Sequence, residues 1–558
     1  RLAPLFRLNN NLAARCYLTR LRRYLAGIVH TPQYCRFNPA SDTCQPTIKE
    51  KIPTMGLYDV TFYDLISQNA VVFGECPAWY EADDERAVTF SRFKDTVDCL
   101  AAGLQKKGVK KGDRIGVLGQ NSLEYFTLYG AAAALGAVML PVNWRLSAEE
   151  VVFNLNDCGP VMLFVDPEFQ EMISGVRDQL SSVERVYSLG VDKGRFEDMT
   201  FLLENEGLFE PVDVAGTDGF VIIHTAAVAG RPRGALLSHG NLLCANLVLN
   251  YGFNLGSDDV HLNLLPLFHV GGLFMATNSF QAGVQNINMR KFDATTAVDL
   301  IEKFKVSILF DFSPILSSIL DAGEKTGKNI GTLRAVMGLD TPDIIEAYQK
   351  RTGGTFYSLF GQTETSCVVT MGPYSDRPGS AGRPISLAML QLLNDNDVPV
   401  PRGEVGEIAV KGPMVFQGYW NLPEDTEATF RNGWHHTGDL GRLDADGYLW
   451  YSGRKPEKEL IKPGGENVYP AEVEKVILEH PVVEKTVVIG IPDPKWKEAI
   501  KAVCQLKSGQ DLTSEALIQF VGERIARFKK PQYVEFVTKM PVTATGEIDR
   551  QKVKELYG

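Results

Sequence analysis

From residue 113 onward the chain repeats one unit: a short apolar run, a turn, and a longer helical pattern. "DRIGVLGQN" (113–121) reads as a strand entering a turn, and "SLEYFTLYGAAAALG" continues as a helix. "AVMLPVN" is the next strand. "VMLFVD" (161–166), "GFVIIHT" (219–225) and "KVSILFDFS" (305–313) repeat the short buried type. Parallel strands need crossover connections, so this alternation predicts an α/β fold with mostly parallel sheets. A β-rich part follows, "GEIAVKG" (406–412) and "GRLDADGYLWYSGR" (441–454), in which "DADG" is a hairpin turn. After Arg454, "KPEKE" is a charged, proline-containing joint. Beyond it "AEVEKVILEH", "VEKTVVIGIPD" and "LIQFVGERIARF" supply new helices and strands. The predicted organisation is a large α/β region with several subdomains over 55–454 and a small, mobile α+β domain over 455–558. No internal repeat or low-complexity tract is present.

The 558 residues are 44% apolar and 22% charged, which suits a globular chain with a large core. A net charge of −11 argues against a nucleic-acid partner. The nine cysteines are scattered without a C-x-x-C pair, and the eight histidines lack H-E-x-x-H spacing. Those patterns predict a reducing, cytoplasmic setting without a disulfide framework or zinc site. The apolar run "YGAAAALGAVMLPV" (129–142) is shorter than the ~18 residues of a transmembrane helix and reads as a buried helix turning into a strand. Residues 1–54 differ from the rest: nine Lys/Arg and two acids give them +7, against −18 for the remainder. Leu18, Leu21, Leu25 and Ile28 mark an amphipathic helix there. A transit segment or a membrane-surface helix has that profile. The other reading is an appended or upstream remnant, with the natural domain beginning at Met55.

"TAAVAGRPRG" (225–234) has the outline of a phosphate-gripping loop, yet is almost without hydroxyls. Four stretches acquire meaning together: "HTAAVAGRPRGALLSHGNL" from 224, "PLFHVGG" from 266, "YSLFGQTETS" from 357, and "HTGDLG" from 436 with "GRKPEKELIKPGGENVYPAEVE" from 453. In this order they resemble the adenylate-forming superfamily, and within it the AMP-forming acyl-CoA synthetases, over residues 55–558. The resemblance implies that a carboxylate attacks the α-phosphate of ATP, giving an acyl-adenylate and pyrophosphate. Coenzyme A thiolate then displaces AMP. Activation is needed because oxide is a poor leaving group, and the enzyme must hold two anions together while charge builds on pyrophosphate.

The resemblance also implies roles. Glu364 in "FGQTE" would bind Mg²⁺, a hard cation, and Thr363 would donate to the α-phosphate. Phe360 would flank adenine, and Gly361 belongs to the same nucleotide motif. "MGLD" (337–340) matches the adenine turn, with Gly338 permitting close backbone approach beside Leu339 and Asp340. Asp439 in "HTGD" would accept both ribose hydroxyls, and Arg454 would bind ribose or phosphate at the joint. His269 would lie beside the acyl carboxylate, although a lone histidine in an apolar run can equally be a core residue. Gly464 and Gly465 would line the pantetheine tunnel. Lys458 is the expected pivot of the C-terminal domain.

Two departures stand out. The phosphate loop is Thr225, Ala226, Ala227, Val228, Ala229, Gly230, Arg231, Pro232, Arg233, Gly234, where the family pattern carries further hydroxyls. It retains main-chain N–H groups, glycines and a cation at Arg233, which predicts a looser grip on triphosphate. Near the C-terminus "PVTATGEIDR" places Glu547 where the family has the lysine that bridges carboxylate and α-phosphate. Three readings follow: an acyl-CoA synthetase, an enzyme specialised for the thioester step or for ATP formation, and a non-catalytic adenylate- or acyl-CoA-binding protein. No aspartate follows "PLFHVGG" to receive an amino group, and "HVGGLFMATNSF" is apolar. A medium-chain, aromatic or alicyclic acid is therefore the expected substrate. Oligomeric state stays open.

Overall fold

Ser122 accepts the Tyr125 N–H at 3.1 Å and so starts the helix Leu123–Leu135, which Gly136 stops in the left-handed region at φ 64°. This helix is apolar all round and buried all round. It joins strand Arg114–Leu118 to strand Val138–Val142, and the two pair in parallel. The computed structural model describes residues 59–558 except 191–193, 229–230, 456–459, 464–465, 494–495 and 544–547, with the main chain alone at 226–228, 231 and 497. The basic segment 1–54 therefore lies outside the described residues.

Two mixed, mostly parallel sheets carry the large region. The eight-stranded sheet is centred on Arg114–Leu118, with Val138–Val142 and Met162–Val165 on either side, and ends in the antiparallel strands Arg231–Ser238 and Gly418–Tyr419. The nine-stranded sheet has the parallel centre Ile308–Phe312, Ala335–Leu339 and Thr355–Phe360. Helices packed on these sheets bury one aromatic core, in which Trp79 stacks on Phe126 at 4.6 Å and Phe280 meets Phe62, Phe90 and Phe93. An antiparallel five-stranded sheet follows. It contains the hairpin of Trp434–Leu443 with Leu449–Arg454, whose turn closes through Gly447 N–H to the Asp444 carbonyl at 3.1 Å. The α/β architecture with a β-rich part is as the alternating pattern predicts.

The C-terminal part has an α+β core of its own. Strands Val483–Asp493, Lys497–Leu506 and Tyr533–Val537 form a sheet, and helices Pro470–Leu478 and Ser514–Gly522 close over Val473, Ile477, Val488, Ile500 and Leu517. Lys529 ties it to the large region. Its ammonium lies 2.7 Å from Glu472 on its own side and 2.7 Å from Glu150 on the helix Ala148–Cys158. The other Glu150 oxygen accepts the Ala526 N–H at 3.0 Å. Among the described residues no helix is long and apolar enough to cross a membrane.

One reading changes. "TAAVAGRPRG" is predicted as a loop, but its two ends are strands. Gly219–Val228 runs antiparallel to Arg231–Ser238, with Thr225 opposite Arg233 and Val228 opposite Arg231. Alanine and valine in place of glycine and hydroxyl residues remove the freedom that keeps such a segment out of a ladder. Pairing commits to the sheet some of the main-chain groups that were expected to cradle phosphate.

Candidate functional site

Antiparallel register in the β-rich sheet sets Asp439 directly opposite Arg454. Asp439 is 1% exposed, so its charge needs partners. Its Oδ1 lies 3.0 Å from Arg454 Nε and accepts the Tyr451 hydroxyl at 3.1 Å. Its Oδ2 accepts from Gln362 Nε2, which also donates to the Thr437 carbonyl at 3.0 Å. Burial acts to lower the Arg454 pKa, but Asp439, Tyr469 and Tyr451 outweigh it and hold the guanidinium above its ordinary value. The Phe360 ring lies 6.1 Å from the Tyr451 ring.

A second group forms where strand Thr355–Phe360 ends. A Cβ on Gly361 would collide with the Cys367 carbonyl, so only glycine lets the chain fold back here. The short turn Thr363–Thr365 then buries Glu364, whose Oε1 accepts the Tyr419 hydroxyl at 2.8 Å. Arg233 lies over that tyrosine ring at 4.1 Å, and its Nη1 donates to Asp425 Oδ1 at 3.1 Å. Burial disfavours the charged Arg233, yet Tyr419, Glu364 and Asp425 raise its pKa overall. Thr225 donates its hydroxyl to the Arg233 carbonyl at 3.3 Å, and the Gly234 carbonyl accepts the Trp420 N–H at 2.7 Å. Tyr469 links the two groups. Burial raises its phenol, Arg454 and Arg233 oppose that, and Glu364 adds to it.

His269 caps the helix Val270–Gln281, its Nδ1 accepting the Gly271 N–H at 3.2 Å. Burial, then Arg145 and Lys462, push it down to about 4. At neutral pH the ring is therefore uncharged, with its proton on Nε2. Phe312 meets it edge-on at 6.0 Å. Lys462, an exposed residue that the motifs did not single out, is pushed down by loss of water around its ammonium and by Arg454, against the pull of Asp439 and Glu498. It thus couples the His269 side to the Asp439 side. Four residues further on, Glu466 pairs with Arg145, whose guanidinium lies 4.7 Å from the Trp144 ring.

The stretch 337–340 is shaped first by its neighbouring strand. A Cβ on Gly338 would collide with the main chain of Asp311, its partner in the neighbouring strand, so the close approach it permits is strand to strand. Leu339 is exposed, and Asp340 Oδ1 accepts the Thr341 N–H at 2.7 Å, just before the helix Pro342–Thr352. Gly338→Ala is expected to destabilise the protein by roughly 3 kcal/mol through overpacking, read as a lowered denaturant midpoint. The remaining expected residues, Gly230, Lys458, Gly464, Gly465 and Glu547, lie outside the described residues. Gln362, Tyr419, Tyr451 and Tyr469 escaped the sequence reading. Gln362 and Tyr469 stand inside quoted motifs, but Tyr419 and Tyr451 reach the site only through strand pairing.

The sequence family described as AMP-binding enzyme matches residues 66–420, and the AMP-binding enzyme C-terminal domain matches 472–547. The chain belongs to the AMP-binding enzyme family. Indoleacetate–CoA ligase of Aromatoleum aromaticum is 35% identical over 481 residues, 85% of this chain and 94% of that one. Feruloyl-CoA synthase of an Amycolatopsis species is 33% identical over 481 residues, with the same coverage of 85% and 94%. The structure of o-succinylbenzoate CoA synthetase from Bacillus subtilis, a double mutant, matches with a TM-score of 0.78 at 26% identity, over 89% of this chain and 98% of that one. Within the family the protein is an AMP-forming acyl-CoA synthetase.

Proposed function

We propose that this synthetase joins an aromatic carboxylic acid to coenzyme A. The observation that carries the reading is the wall beside His269. Phe312 stands edge-on to the imidazole, Phe310 packs 5.1 Å from Phe312, and at Gly271 a Cβ would already press within 3.0 Å of the Phe310 ring. The surface beside the imidazole is thus closely packed, apolar and aromatic, a character that suits contact with an aryl group. Relatives named for indoleacetate and ferulate support the same class. Pyrophosphate exchange over a panel of indoleacetate, ferulate, 2-succinylbenzoate, hexanoate and decanoate tests it. An aryl acid is expected to exceed both alkyl acids by at least about tenfold in kcat/KM; alkyl acids turned over equally well overturn it.

In the first step a carboxylate oxygen bonds to the α-phosphorus, the bond to the bridging oxygen breaks, and pyrophosphate leaves. His269, neutral with Nε2–H, donates to the carboxylate and positions it. Asp439 and Arg454 hold the ribose, and Phe360 with Tyr451 flanks the base. Arg233 is the cation for the phosphates. Glu364 fits a magnesium site of the kind in which one carboxylate and the substrate phosphates hold the ion, since Tyr419 occupies only one of its oxygens among the described residues. That ion would screen the charge growing on pyrophosphate. In the second step thiolate sulfur bonds to the acyl carbon and AMP departs.

The placement of Lys462 and Glu466 beside His269 and Arg145 supports reading the described arrangement as the thioester-forming one, with residues 455–558 moving as a unit between steps. Lys529→Met would leave Glu150 and Glu472 facing each other without their shared cation. It is expected to slow thioester formation from supplied acyl-adenylate by about tenfold and to leave pyrophosphate exchange near the parent rate. Equal losses in both assays would assign Lys529 to general stability.

A further inference from the structure

Behind the hairpin of strands Gly219–Val228 and Arg231–Ser238 is a cluster that the two-step reaction does not use. The helix Ala148–Cys158 ends on Asp157 and Cys158, and Gly159 stops it at φ 60°. His224 comes to meet them from strand Gly219–Val228, one residue before Thr225. Its Nε2 is 3.1 Å from Asp157 Oδ2 and 4.0 Å from Cys158 Sγ, and Sγ is 3.8 Å from Oδ2. Tetrahedral zinc, with bonds of about 2.0 Å to nitrogen or oxygen and 2.3 Å to sulfur, sets its ligands roughly 3.3–3.6 Å apart. The three atoms therefore already mark one face of such a polyhedron to within a few tenths of an ångström.

The surroundings fit an ion. Cys158 and the His224 side chain are buried, whereas the Asp157 side chain is 22% exposed and leaves an opening for a water as fourth ligand. Thiolate, carboxylate and neutral imidazole cancel the charge of a divalent ion, so holding it at a mostly buried site costs little. The ligand-bearing main chain is fixed from outside. Arg114 donates to the carbonyls of Cys158 and Gly159 at 2.7 and 2.8 Å, and Asn421 donates to that of Asp157 at 3.2 Å. His224 Nδ1 has no hydrogen-bond partner among the described residues. With Nε2 on the ion the proton sits on this Nδ1, where a ligating histidine ordinarily donates to a carbonyl, a carboxylate or a water.

We infer that Asp157, Cys158 and His224 form a binding site for one divalent cation of the zinc class at the base of the hairpin. On binding, the sulfur–metal bond forms and the thiol proton leaves to solvent; no electron is transferred. Sulfur and imidazole in the donor set select against magnesium, so this site and a magnesium site at Glu364 would not compete. An occupied site braces strand Gly219–Val228 against the helix that carries Glu150, and so links the hairpin to the Lys529 contact.

The test is zinc titration of the untagged full chain against a chromophoric chelator, with cobalt(II) as spectroscopic probe. One equivalent of zinc and a thiolate-to-cobalt charge-transfer band are expected. Cys158→Ser should abolish the band and weaken zinc at least a hundredfold, and His224→Gln should weaken it at least tenfold. Cys99→Ser, away from the cluster, should change neither. Should the Cys158 or His224 variant not fold by circular dichroism, zinc protection of Cys158 against alkylation in the parent chain, compared with chelator-treated chain in mild denaturant that exposes the thiol and mapped by mass spectrometry, decides the matter. Absence of stoichiometric zinc, a cobalt band surviving in Cys158→Ser, or unprotected Cys158 overturns the assignment.

Discussion

Replacing Asp439 with alanine is expected to lower ATP and AMP affinity together by about 10²–10⁴-fold, as two hydrogen bonds to a charged group, worth roughly 1.5–3 kcal/mol each, are lost. The geometry sharpens the expectation. A carboxylate offers about four acceptor positions, and Arg454, Tyr451 and Gln362 already use three. Both ribose hydroxyls can be accepted only if the Tyr451 hydroxyl or the Gln362 amide gives way. Tyr451→Phe should therefore bind AMP as well as or better than the parent, while Asp439→Ala leaves the partly buried Arg454 guanidinium without its partner. Calorimetry with AMP, beside a thermal-melt control for folding, checks both. Unchanged AMP affinity in Asp439→Ala would remove it from the nucleotide site.

Arg233→Ala should cost adenylation about 10²–10³-fold in kcat, the loss typical of removing one preorganised group that stabilises transition-state charge. Formation of the thioester from supplied acyl-adenylate should change little. Arg233 is a strong candidate for the work of the absent lysine because Tyr419 and Asp425 hold it in place and Glu364 lies close enough to favour its charge. Glu547→Lys then separates two accounts. If Glu547 limits the first step, the lysine should raise pyrophosphate exchange, perceptibly but by no more than about tenfold after solvent screening. If Arg233 has taken over the task, the added cation should repel it and slow exchange. Parent-like rates in both variants would leave adenylation without either group.

Much of the fold was legible because it depends on local pattern. Strand-forming runs such as "RIGVL" and "VMLFV", the helix through "SLEYFTLYGAAAALG", and the "DADG" turn each declare themselves within a few residues. Asp439, Glu364 and Gly361 stand in short stretches that resemble the family's motifs, and the fold brings Asp439 against Arg454 and Glu364 against Tyr419. The stretch 225–234 has the outline of a loop, yet Thr225 pairs with Arg233 and Val228 with Arg231, and only that partner strand decides the outcome.

The α/β class follows from the alternation of strands and helices, and the family from the resemblance of its ordered motifs, both of which lie along the chain. Tertiary structure alone decided which groups meet. Gly338 serves a neighbouring strand because Asp311 lies beside it. Tyr451 and Arg454 share the Asp439 carboxylate because antiparallel register aligns them. Cys158 and His224 stand 66 residues apart, a separation with no metal-ligand signature, and meet because a helix end and a strand pack side by side. A side chain's electrostatic environment is set by distances of a few ångströms in space, and separation along the chain carries no record of them.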